Sequence, residues 1–280
     1  MMKKWMILTV MMMFMTTFGM GLPTAFSAEE PLPPGEGTSV AAADQEDEER
    51  PTLSADAAFL SQYVWRGYGI TKDSLVIQPS VTAGYKGFSL NLWGNLDTHD
   101  SASKDTRWNE TDLAFSYAHS FGMLGVEGGF IYYAIDNDVD WKEFYLSLGL
   151  DTILAPTVTV YREISKRQGW YVLLGISHSF ELPMEMSLDL AGSVSYYASD
   201  NDTMQEFNSE LSPTGERFSG LHDGLISVGL TIPFWKYFTV TPSIAYAFPL
   251  SRQADNELQY WSVDDRANHV FGGVTLSMAF

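Results

Sequence analysis

The sequence predicts an all-β membrane protein: a transmembrane antiparallel up-and-down β-barrel of about twelve strands over residues 53–280. Three observations predict it. From Leu53 onward, apolar and polar residues alternate with period two in runs of roughly nine to thirteen residues, the length a tilted strand needs to cross a bilayer. The links between these runs alternate between short and long. The last run ends on an aromatic residue, Phe280.

The segments before the barrel come first in chain order. Residues 1–28 have the form of a secretory signal. Lys3 and Lys4 supply a positive start, and Trp5 to Gly21 are apolar apart from Thr9, Thr16 and Thr17. Small residues follow at Ala25, Ser27 and Ala28, and a cut after Ser27 places Ala25 at the favoured third position before it. A retained membrane helix is the alternative, but an acidic, Pro-rich tract follows instead of a basic anchor. That tract, 29–52, carries Pro31, Pro33, Pro34 and the run Asp44-Gln45-Glu46-Asp47-Glu48-Glu49. It has too little apolar surface to offset chain entropy, and is expected to be a disordered acidic leader, serving as a spacer.

The expected strands are 55–65, 75–85, 88–97, 109–119, 124–134, 141–150, 157–163, 170–180, 185–197, 224–232, 238–248 and 269–280. The second shows the pattern most clearly. Leu75, Ile77, Pro79, Val81, Ala83 and Tyr85 alternate with Val76, Gln78, Ser80, Thr82 and Gly84. Strand 157–163 is short, and ten or fourteen strands stay open on this evidence. Even-numbered strands lead into tight links such as Lys86-Gly87, whereas 98–108, 198–223 and 249–268 are long. Short turns at one end and longer loops at the other are the mark of an outer-membrane barrel.

Aromatics at strand ends fit girdles at the two membrane interfaces. The candidates are Tyr63, Trp65, Tyr85, Phe88, Trp108, Trp141, Trp170, Phe234, Trp235, Tyr237 and Phe238. In the last strand Val274, Leu276, Met278 and Phe280 share one face. That strand is expected to pair with the first, closing the sheet so that no backbone edge meets lipid. Its terminal Phe280 also fits the signal read by the barrel-assembly machinery.

Composition narrows the functional classes. The chain has no cysteine, which excludes a lipoprotein anchor, disulfides, a thiol nucleophile and thiolate metal sites. Removing Lys3 and Lys4 from the sixteen basic residues leaves fourteen against 35 acidic, a formal −21 after the signal. Such a balance argues against nucleic-acid partners.

The segment Ser61-Gln62-Tyr63-Val64-Trp65-Arg66-Gly67, with Gln78-Pro79-Ser80 and Gly87-Phe88-Ser89-Leu90-Asn91-Leu92-Trp93-Gly94, resembles the start of the TorF-like porins and related bacterial outer-membrane barrels. Asn109-Glu110-Thr111-Asp112 and 175–183 look like relatives of the same type. The resemblance implies a bacterial outer-membrane location and a porin-like fold. It transfers no site residues.

If the apolar face meets lipid, the carboxylates must line the lumen, because charge in hydrocarbon is expensive. Arg66, Trp93, Glu110, Asp112, Glu127 and Glu143 are the candidate selectivity residues, with Arg66 an ion-pair partner for some of the carboxylates. The expected function is a channel for passive diffusion of small polar or cationic solutes. A non-conducting structural barrel and a lipid-modifying barrel enzyme are the alternatives. No catalytic residue, metal site or cofactor is assigned. Neighbours such as His119-Ser120 and His178-Ser179 point to opposite faces of a strand and form no direct dyad. The partners expected are outer-membrane lipids, the assembly machinery and small polar solutes, with the barrel a monomer or weak oligomer.

Overall fold

The computed structural model describes residues 50–280, apart from 102 and 137. The expected signal over 1–28 and nearly all of the acidic leader lie outside the described residues.

Sixteen strands follow in chain order: β1 (Thr52–Leu60), β2 (Val64–Trp65), β3 (Tyr68–Gly69), β4 (Val76–Tyr85), β5 (Phe88–Asp97), β6 (Arg107–Phe121), β7 (Leu124–Ile135), β8 (Trp141–Leu150), β9 (Thr157–Glu163), β10 (Gly169–Glu181), β11 (Ser187–Ser199), β12 (Gln205–Phe207), β13 (Pro213–Arg217), β14 (Ser219–Trp235), β15 (Phe238–Pro249) and β16 (His269–Ala279). One α-helix, α1 (Arg252–Trp261), precedes the last strand. Twelve of the strands close into an antiparallel barrel, each beside its sequence neighbour in the wall. β2–β3 and β12–β13 are separate small hairpins.

The barrel closes where β1 meets both β4 and β16, with Leu60 opposite Gly273 and Ser54 opposite Ala279. A side chain at Gly273 would place its Cβ 1.8 Å from the Phe59 carbonyl oxygen, so the seam needs glycine there. Closure satisfies the backbone without an edge, which is what a strand protein in lipid requires.

Alternation sorts the two faces as the sequence predicts. Leu90, Leu92, Leu113, Phe115, Phe144, Leu146, Leu174, Ile176 and Ile244 are exposed on the outside. Asn91, Trp93, Asp112, Ser116, Tyr145, Ser147, Ser195 and Thr241 are buried within. An exterior of contiguous large apolar side chains is a surface made for hydrocarbon. Among the described residues no helix is long and apolar enough to span a membrane.

The structure corrects five expectations. The first strand does not run over 55–65. The chain leaves the sheet after Leu60, and the stretch from Tyr63 to Gly69 is buried inside the barrel. In consequence Tyr63, Trp65 and Trp141 are interior residues and not girdle residues. Tyr85, Phe88, Trp108, Trp170, Phe234, Trp235 and Tyr237 do lie exposed at strand ends. Third, the links at 136–140 and 164–168 are as short as the 151–156 turn, so the sorting of loops rests on the other four long links. Fourth, the 249–268 link holds a helix, capped by the Ser251 hydroxyl accepting from the Ala254 N–H at 3.1 Å. The strand expected at 224–232 also begins earlier, at Ser219.

Candidate functional site

The link between β1 and β4 enters the barrel at the end that carries the long loops. Its tip is a hairpin turn in which Arg66 (φ +47°) and Gly67 (φ +80°) take left-handed backbone. Glycine suits the second position for two reasons. It adopts that φ without strain, and a Cβ there would lie 2.9 Å from the Cβ of Asp223 on β14.

Arg66 is 4 % exposed and reaches across the lumen to Glu143 on β8. The contact is two-pronged, Nη1 to Oε1 at 2.9 Å and Nη2 to Oε2 at 2.8 Å. The Tyr133 hydroxyl on β7 donates to Glu143 Oε2 at 2.9 Å. The guanidinium carbon sits 4.2 Å from the ring centre of Tyr171, 4.6 Å from Trp65 and 4.8 Å from Tyr161. Tyr145, Tyr161, Tyr171 and Tyr197 are directly paired across β8, β9, β10 and β11, giving the inner wall a continuous row of phenol rings.

A second anchor holds α1. Its Ala254, Glu257 and Leu258 form one buried face at i, i+3, i+4 spacing. The Tyr68 hydroxyl donates to Glu257 at 2.9 Å, and Glu257 Oε2 lies 3.1 Å from His222 Nε2. His222 Nδ1 is 2.7 Å from Asp223 Oδ1, which also accepts from the Ser195 hydroxyl at 2.5 Å. Burial, then the Glu257 charge, holds the Tyr68 hydroxyl well above the ordinary phenol range, so it remains a donor. The inward hairpin, the helix and β14 are thus tied at one point.

The six residues expected in the lumen all face inward, but in separate groups. Arg66 and Glu143 form the ion pair. Trp93 packs on Tyr63 at 5.7 Å, and Tyr63 also hydrogen-bonds Glu110. Asp112 lies directly across the strand pair from Trp93. Glu127 is set apart, accepting from the Tyr145 hydroxyl at 2.5 Å. Sequence reasoning missed the Tyr68–His222–Glu257 cluster. Its only signal was His222-Asp223 at the edge of an expected strand.

Three of the loop acids have cationic or polar partners. Asp200 pairs with Arg162, Asp202 with Arg217, and Asp264 with His269 and Gln62. Nor do the His, Asp and Ser of the second anchor form a nucleophilic relay. Ser195 bonds the carboxylate, while the imidazole Nε2 faces Tyr68 and Glu257.

Solved outer-membrane barrels share this architecture. The "KdgM porin" superposes with a TM-score of 0.50 at 15% identity, covering 81% of this chain and 99% of that one. The NanC porin gives 0.50 at 12%, covering 81% and 98%. The fold is that of an outer-membrane porin barrel. The outer-membrane phospholipase of Salmonella typhi is also similar, at 16% identity and a TM-score of 0.42, covering 80% of this chain and 90% of that one. No protein-family model matches the chain, and no curated protein matches it.

Proposed function

We propose that the chain is an outer-membrane channel for passive diffusion of small polar and cationic solutes, narrowed at its loop end by the inward hairpin and α1. The observation that carries this reading is the inner wall. Behind an apolar exterior lie hydroxyls, amides and the carboxylates Glu110, Asp112, Glu127 and Glu143, where a packed core would use aliphatic side chains. These four carboxylates outnumber Arg66, which the inward hairpin brings to them, and that balance favours cations over anions. The likeness of 61–67, 78–80 and 87–94 to the TorF-like porins agrees with it. Proteoliposome swelling tests the proposal. Small neutral and cationic solutes are expected to enter faster than into protein-free vesicles, and equal rates for every solute would reject it.

A non-conducting barrel is the second reading, favoured by the burial of Arg66, Tyr133, Tyr161 and Glu143 to 4 % exposure or less. A swelling rate that stays at background when the hairpin anchor is removed by Arg66→Ala would favour that reading.

In the proposed route to the membrane, 1–28 direct export, 29–52 form a spacer, and the strand ending at Phe280 is read by the assembly machinery. Amino-terminal sequencing of protein from an outer-membrane fraction is expected to begin at residue 28 or 29. An intact Met1 would contradict the signal.

A further inference from the structure

Arg66 is held as a bound ligand is held. Trp65 aside, its guanidinium is held by Glu143 on β8, Tyr161 on β9 and Tyr171 on β10, all in the barrel wall, with Tyr133 on β7 donating to Glu143. The wall therefore offers a carboxylate at the right angle for a planar fork, flanked by ring faces. That combination recognises guanidinium in particular. An ammonium matches neither the two parallel hydrogen bonds nor the stacking. The residue that fills it is carried on the inward link with a left-handed turn at its tip, and not on a wall strand.

A separate observation points to a ligand at the same place. Glu163 on β9 is paired directly with Glu143 across the strands. It is 5 % exposed, and its Oε2 has no hydrogen-bond partner among the described residues. Its Oε1 accepts from the Ser165 N–H at 2.7 Å. Glu143 and Glu163 both border a small cavity lined also by Trp65, Trp141, Arg167 and His222. Arg167 is the other cation there, and it lies over the rings of Trp141 and Trp261 at 4.5 and 5.1 Å. Glu163 Oε2 thus leaves acceptor capacity beside the carboxylate that Arg66 uses.

Building on the reading of the chain as a channel, we propose that this cage is a recognition site for solutes bearing a guanidinium group, such as arginine and short arginine-containing peptides. Arg66 is its tethered occupant. An incoming guanidinium takes Glu143 and the ring faces, Arg66 leaves with its hairpin, and the loop end opens. The hairpin thus acts as a competitor built into the chain, and removing its side chain should expose the intrinsic affinity.

Calorimetric titration of the purified full chain in detergent tests this, with arginine, lysine and glutamine as probes. Each variant is first checked for the heat-dependent gel shift of a closed barrel. Arg66→Ala is expected to bind arginine about tenfold more tightly than the native chain does. It should bind lysine about tenfold more weakly than arginine. Arg66→Ala combined with Glu143→Gln should lose arginine binding while keeping the gel shift. Should Arg66→Ala not close, Arg66→Lys carries the same expectation, because it keeps the charge and loses the fork.

Equal binding of arginine and lysine, or arginine binding that survives Glu143→Gln, would overturn the proposal. The binding readout is independent of conduction. Selective binding in a barrel that passes no solute would leave the site standing and remove the channel, and conduction without selective binding would do the reverse.

Discussion

Arg66 and Glu143 lie 77 positions apart in sequence and meet buried inside the barrel. Bringing two charges out of water is costly, and their two hydrogen bonds, with the Tyr133 hydroxyl donating to Glu143, are what offset it. Removing one partner leaves the other buried and unpaired, so Glu143→Ala should cost about 3–5 kcal/mol of barrel stability. The denaturant midpoint of the folded barrel checks this, and the double change Arg66→Ala/Glu143→Ala should recover part of the loss. A double variant no more stable than Glu143→Ala would show that the pair is not the anchor. Period-two alternation made Glu143 legible as an inward carboxylate. Its partner's place was not legible, because 55–65 keeps a strand-like texture straight through Leu60, where the chain in fact turns inward. Local pattern cannot register that Tyr63, Val64 and Trp65 are apolar for the sake of the lumen and not the lipid.

The same limit appears among the elements. β5, β8 and β9 match the expected bounds, and most others agree within three residues, because each has a lipid face and a lumen face to alternate between. The helix α1 was hidden. It is ten residues long, and of its buried face only Ala254 and Leu258 are apolar, the third member being Glu257. Too few apolar positions remain for a period to show. Its hold on the barrel passes through Glu257 to Tyr68 and His222. Glu257→Ala should therefore release the helix while leaving the twelve-stranded wall closed. We expect a higher swelling rate for the same solute with an unchanged gel shift, and Glu257→Gln, which can still accept from Tyr68, should fall nearer to the native chain. Swelling unchanged by Glu257→Ala would mean that α1 does not narrow the passage.

For the molecule as a whole, the two faces are set by opposite requirements. Outside, large apolar side chains such as Leu90, Phe115 and Ile176 meet lipid; inside, carboxylates accept from hydroxyls along the wall, as Glu143 does from Tyr133, Glu127 from Tyr145 and Asp189 from Thr231. Closure, a strand number of about twelve and the sorting of faces were legible because the bilayer imposes a period and a length on every strand. How the lumen is filled was not, because that depends on contacts between links far apart in the chain. In the proposed channel a polar, acidic passage runs through the barrel and Arg66 obstructs it. Reversal potential in a planar bilayer under a salt gradient is the measurement that decides this. The native chain is expected to show cation preference, and Arg66→Ala a larger current with stronger cation preference. Anion preference, or silent bilayers with both proteins, would contradict it.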